Sequence, residues 1–131
     1  MSKSVLYSAN TNSQTVAING IINFGTIIRR YGCNCNLSGG NAVISGTGYY
    51  NIDTAFTFTA SDAGTAVITL FNDGVAIPGA TVSFTTAANS IYAVSIPAII
   101  RQMCCCNSTI TAIVTGVAGT VNNASILVSK T

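Results

Sequence analysis

Tyr49-Tyr50-Asn51-Ile52-Asp53-Thr54-Ala55-Phe56-Thr57-Phe58-Thr59-Ala60 is the stretch on which the fold turns. Tyr50, Ile52, Phe56 and Phe58 fall on one parity, and Asn51, Asp53, Thr57 and Thr59 fall on the other. A period of two is that of a strand with one buried face and one face that is wetter or paired. Outward from it the same grammar repeats. Gly46-Thr47-Gly48 separates it from a short strand over Asn41 to Ser45, and Ser61-Asp62-Ala63-Gly64 has turn chemistry before a strand over Thr65 to Phe71. Asn72-Asp73-Gly74 predicts a tight hairpin, because Asp-Gly tolerates the positive φ such a reversal needs.

Upstream, Gly20 to Arg30 reads as strand, a glycine kink at Gly25, then strand. Downstream, Val75 to Ile77 is followed by a turn or bulge at Pro78-Gly79, then by strands over Thr81 to Thr86 and Ile91 to Ile100. Pro97 confines the last of these to an edge or a bulge, because proline cannot donate to a ladder. Arg101 to Asn107 reads as a loop, and Thr109 to Val117 and Ala124 to Ser129 close the pattern. Eight to ten short strands with frequent turn signals predict an all-β sandwich or barrel.

Composition agrees. Among 131 residues, 16 Ile, 11 Val and 17 Thr are β-branched, against 4 Leu and no Glu. Stiff side chains that suit a pleated surface dominate, and strong helix formers are scarce. Only 6% of residues are charged, with five Lys+Arg, three Asp and no His. That excludes His-based acid–base pairs, Ser-His-Asp and Cys-His arrangements and His metal ligands. Three isolated aspartates leave little for carboxylate catalysis, and a net charge of +2 offers no basic stripe for nucleic acid. No cofactor is expected and the chain reads as non-enzymatic. A surface so poor in charge is unusual for a monomer, so much of it is expected in subunit contacts. Met1-Ser2-Lys3-Ser4 is followed by a polar stretch, Ser8 to Gln14, rather than an apolar segment, and no run approaches a membrane span. Synthesis in a host cytoplasm without membrane insertion is the expectation.

The stretch Val43-Ile44-Ser45-Gly46-Thr47-Gly48-Tyr49-Tyr50-Asn51-Ile52 resembles the signature of the tumour-necrosis-factor/complement-type jelly roll, whose G-x-Y-x-apolar strand is matched by Gly48, Tyr50 and Ile52. The hairpin Ile68 to Gly74 and the β-rich C-terminal strand follow in similar order, so the resemblance covers roughly Gly20 to Lys130. The sequence also resembles the C-terminal domains of collagen-like spore-surface glycoproteins and small phage or prophage structural proteins. It departs from the spore proteins in having no Gly-X-Y repeat ahead of the domain, which favours a stand-alone particle component. The resemblance implies an antiparallel two-sheet jelly-roll sandwich of ten strands, over 20–131, that assembles as a homotrimer. Residues 1–19 are then an N-terminal arm, docking only in an assembly, or a first strand. In such trimers the sheet containing the first and last strands faces the three-fold axis. By position, Tyr50, Ile52, Val94, Ile96, Ile126 and Val128 are candidates for core or axis contacts. The implied function is a capsid decoration or fibre-head protein of a phage virion, with other virion proteins as partners. The alternative is a glycan-binding surface or spore-coat module.

Cys33 and Cys35 share one face if they lie in a strand, and Cys104-Cys105-Cys106 form a run. Disulfides, free thiols and a metal site are the open readings. An odd count leaves at least one thiol unpaired within the chain, and neither group has Cys-x2-Cys zinc spacing. Arg29, Arg30 and Arg101 are the candidate contacts for an anionic partner, with salt bridges to Asp53, Asp62 and Asp73 as the structural alternative. Asp62 and Asp73 are weak calcium candidates, since calcium takes six or more oxygens. Tyr7, Tyr31, Tyr49, Tyr50 and Tyr92 are the candidates for a sugar-stacking platform, against core or interface roles. The sequons at Asn36, Asn107 and Asn123 lack a secretory signal and are read as chance.

Overall fold

The computed structural model describes residues 4–32, 34–102 and 107–130. Its described residues form twelve strands and no helix. The strands are β1 (Val5–Asn10), β2 (Gln14–Val16), β3 (Gly20–Ile21), β4 (Thr26–Tyr31), β5 (Cys35–Ser38), β6 (Asn41–Ser45), β7 (Gly48–Ala60), β8 (Gly64–Asn72), β9 (Val75–Thr86), β10 (Ile91–Gln102), β11 (Asn107–Thr115) and β12 (Gly119–Lys130). Sheet I runs β10-β7-β12-β1-β4, with β2 paired to the far part of β12; sheet II runs β5-β6-β11-β8-β9, with β3 paired to β11. Every pairing is antiparallel. Only β5–β6 and β8–β9 are hairpins within one sheet. Most other connections cross between the sheets, and the result is a two-sheet jelly roll.

The alternation in the deciding stretch sets the layers. On β7, Tyr50, Ile52, Phe56 and Phe58 are buried, as are their inward-facing counterparts Ile96, Ile126 and Val128 on the flanking strands. Sheet II returns Ile44, Ile68, Leu70 and Ile110 into the same space. Phe24 and Phe56 meet at 5.9 Å, and Phe58, Phe84 and Tyr92 form a chain of tilted and edge contacts at 6.0 and 5.2 Å. Each such side chain stabilises the fold by about 1.5–3 kcal/mol on leaving water.

Polar groups inside are mostly satisfied. Thr54 Oγ1 donates to the Ile96 carbonyl at 2.9 Å, and the Tyr50 hydroxyl lies 2.9 and 3.0 Å from the carbonyls of Ser45 and Gly46. Ser8 is an exception: it is fully buried on the core side of β1 and its Oγ has no partner among the described residues. Ser8→Ala is therefore expected to raise stability by about 1 kcal/mol, or roughly 4 °C in Tm. Thermal unfolding checks it; a lower Tm would mean that the hydroxyl is partnered after all.

Within residues 1–19, β1 lies between β12 and β4, with Leu6 opposite Val128 and Arg30, and so forms part of sheet I. Its polar look misleads because only Leu6 and Ser8 face the core. Pro97 sits on an edge strand, as its missing donor requires, but β10 runs on through Arg101 and Gln102, which the sequence reads as loop. The Pro78-Gly79 signal is a bulge inside β9: the register jumps between Thr69 and Phe71, and Gly79 has φ 82°. Asp73 and Gly74 both take positive φ, 52° and 83°, in the expected hairpin turn.

Candidate functional site

The outward face of sheet I is the candidate site. Register places its side chains in rows that cross the strands. One row is Ile99-Asn51-Ser129-Val5-Tyr31, the next Pro97-Asp53-Leu127-Tyr7-Arg29, and the third Ser95-Ala55-Ser125-Ala9-Thr26. Beyond them lie Ala93, Thr57 and Asn123. The third row is built from alanine, serine and threonine, so another surface can approach the backbone closely there. Tyr7, Leu127 and Ile99 stand in the other two rows at 38%, 36% and 65% exposure. Shallow depressions follow the rows; one of about 490 Å³ lies over Tyr7, Ala9, Ala55, Ala93, Ser95 and Ser125, and a second adjoins Asp53, Pro97 and Leu127. The face offers shape and apolar surface, and it has no nucleophile with an activating base.

Tyr50, Ile52, Ile96, Ile126 and Val128 are buried within the single subunit, and Val94 is partly buried against the same core. They point away from the outward face, so a second copy would meet the alternate set: Tyr7, Ala55, Ser95, Ser125 and Leu127. Sequence reading passed over that set because its residues are small or polar. The signal available was the off-parity of the deciding stretch, Asn51, Asp53, Ala55 and Thr57.

The three arginines do not form one group in the subunit. Arg29 and Arg30 lie on β4 and Arg101 on β10, the two edges of sheet I, roughly 19 Å apart across four strand spacings. Arg30 Nε donates to the Cys35 carbonyl at 2.8 Å, Arg29 Nη1 donates to the Ile28 carbonyl at 3.2 Å, and the Arg101 guanidinium sits 5.9 Å from the Tyr49 ring centre. Asp62 and Asp73 lie beyond opposite ends of β8, roughly 30 Å apart, and share no site. Asp73 instead accepts from the Thr109 amide at 2.8 Å. The tyrosines are also dispersed: Tyr50 is in the core, Tyr92 packs on Phe84 and its hydroxyl accepts from the Ala87 amide at 2.9 Å, Tyr49 lies under Arg101, and Tyr7 and Tyr31 are on β1 and β4. They make no common stacking platform.

Cys33 and Cys104, Cys105 and Cys106 lie outside the described residues. Their neighbours Asn34 and Asn107 come to the same residue: the Asn34 amide group donates to the Ser45 carbonyl at 2.8 Å, and Ser45 pairs with Asn107. Cys35 is a buried free thiol. Burial pushes its pKa up to about 11, outweighing the opposing pull of Arg30 and Lys130. Native alkylation at pH 8 is expected to leave Cys35 unmodified long after a denatured sample has reacted, because only about 0.1% is thiolate; peptide mass analysis reads this. The folded chain also holds this proton more tightly than the unfolded chain. Its contribution to stability is thus complete below about pH 9 and is lost as pH rises toward 11, with a slope of up to about 1.4 kcal/mol per pH unit that Cys35→Ala should abolish.

No family model matches the chain, and no curated protein sequence does. Solved structures do. Murine APRIL at pH 5.0 superposes with a TM-score of 0.72 at 12% identity, covering 99% of this chain and 100% of that one. The PRD1 vertex protein P5 gives 0.68 at 12%, covering 97% and 96%. The globular domain of zebrafish complement 1qA gives 0.63 at 7%, covering 95% and 94%. The chain thus has the tumour-necrosis-factor/C1q-like jelly-roll fold over nearly its whole length.

Proposed function

We propose that the chain is a non-enzymatic structural protein that assembles as a homotrimer through the outward face of sheet I and serves as a component of a phage virion, as a capsid decoration or fibre-head protein. The observation that carries the trimer is the face itself: a row of small side chains beside the exposed Tyr7, Leu127 and Ile99, with Asp53 and Arg29 as the charges in its three rows. The rows described above cover roughly 650 Å², close to the ~800 Å² per partner of a standard specific interface. Burial of that apolar surface at about 25 cal/mol per Å² supplies the driving force before association costs. The particle role is supported by the likeness to a vertex protein at a TM-score of 0.68. Because β1 is held inside its own sheet, docking onto the particle falls to other exposed surfaces.

Light scattering of the purified chain tests the assembly, with a mass three times the 13.4 kDa of one chain expected. A monomer at high concentration would overturn it. Detection of the chain at fixed stoichiometry in purified particles tests the virion role; its absence there would remove that role and leave the trimer standing.

A further inference from the structure

We propose that Asp53 of one copy pairs with Arg29 of the next, and that this pair sets the head-to-tail register in which the trimer closes. The inference rests on the trimer reading. Asp53 is the sole carboxylate in the rows of the outward face, and it sits near their centre on β7. Its cross-strand neighbours are Pro97 and Leu127, neither of which can neutralise it. In its own subunit the cation of the same row is Arg29, reached through Leu127 and Tyr7, three strands and roughly 14 Å away. A second copy covering this face takes Asp53 out of water, and a buried carboxylate without a partner is costly.

The layout also selects the symmetry. A two-fold contact centred on β7 would set Asp53 against Asp53, whereas a head-to-tail contact brings a different part of the neighbour over β7. The face carries its negative charge in the middle and Arg29 on an edge strand, an arrangement complementary only when one copy is displaced relative to the next. Arg29 fits better than Arg101. It lies in the same row as Asp53 and donates only to the carbonyl of its own neighbour, while Arg101 is stacked near Tyr49 at the other edge, four residues beyond Pro97 along β10.

Charge reversal in the full chain, read by light scattering with circular dichroism as the control on folding, tests this. Asp53→Arg and Arg29→Asp are each expected to dissociate the trimer into folded monomers, Asp53→Arg with Arg29→Asp to restore it, and Asp53→Arg with Arg101→Asp to remain monomeric. Asp53→Asn, which preserves shape, should raise the dissociation constant at least about tenfold and remove its dependence on NaCl. A trimeric Asp53→Arg chain, a Arg29 double variant that stays monomeric, or rescue by Arg101→Asp instead overturns the pair while leaving the trimer intact. A monomeric wild type removes the trimer reading itself.

Discussion

Ala55→Arg is expected to yield a folded monomer. Ala55 lies in the row Ser95-Ala55-Ser125-Ala9-Thr26, where no side chain is larger than a threonine, and it is exposed in the single subunit. The new guanidinium therefore meets water in the monomer and costs the isolated fold little. In the proposed trimer the same group would lie among the small residues facing the next copy and bury a charge without a partner. The expected penalty is roughly 3–5 kcal/mol, a loss of some hundredfold to thousandfold in association. Light scattering should report the monomer mass while the circular dichroism spectrum and Tm of the subunit stay close to those of the dissociated wild type. A trimeric Ala55→Arg chain would mean that copies meet through another face.

Gly25→Ala is expected to destabilise the fold by about 3 kcal/mol or more. Gly25 has φ 79°, and a Cβ there would lie 2.3 Å from the Ala9 carbonyl oxygen and 2.6 Å from the Asn10 Cα. Both obstacles are backbone of β1, so the relief is a shift of β4 away from its partner strand. Left-handed backbone alone costs about 1–2 kcal/mol for an L-residue, and the steric term adds to it. Gly39→Ala is the control: φ is 59° but nothing lies within 4 Å of the added Cβ, so only the conformational cost, about 1 kcal/mol, applies. Urea unfolding of the two variants separates the terms; equal losses would show that β1 and β4 give way freely.

The fold was legible because period two is a local signal. The alternation at Tyr49 to Ala60, the Asp73-Gly74 turn and the Gly25 kink each need only a few adjacent residues to declare themselves, and all three occur in the structure. What was not legible depends on partners far along the chain. β1 lies in the least patterned segment, Ser4 to Gln14, and its strand partners β12 and β4 are distant in sequence. The outward face was hidden for a related reason. Large apolar side chains advertise burial within a subunit, whereas the alanines and serines that fill one row of this face look like nothing in particular in sequence. The arginines seemed to be one cluster because sequence order says nothing about which edge of a sheet a strand takes.

The position of β1 bears on how the molecule is made. Its hydrogen-bonding partners are β4, synthesised about twenty residues later, and β12, synthesised after every other strand, and the Lys130 amide donates to the Ser4 carbonyl at 2.9 Å. Sheet I therefore cannot close until β12, the strip that joins β7 to β1 and the last of the twelve strands in chain order, has been made. Until it arrives, Leu6 and the core face of β7 lack their covering neighbour, leaving a sticky, unzipped intermediate whose lifetime the cell must tolerate.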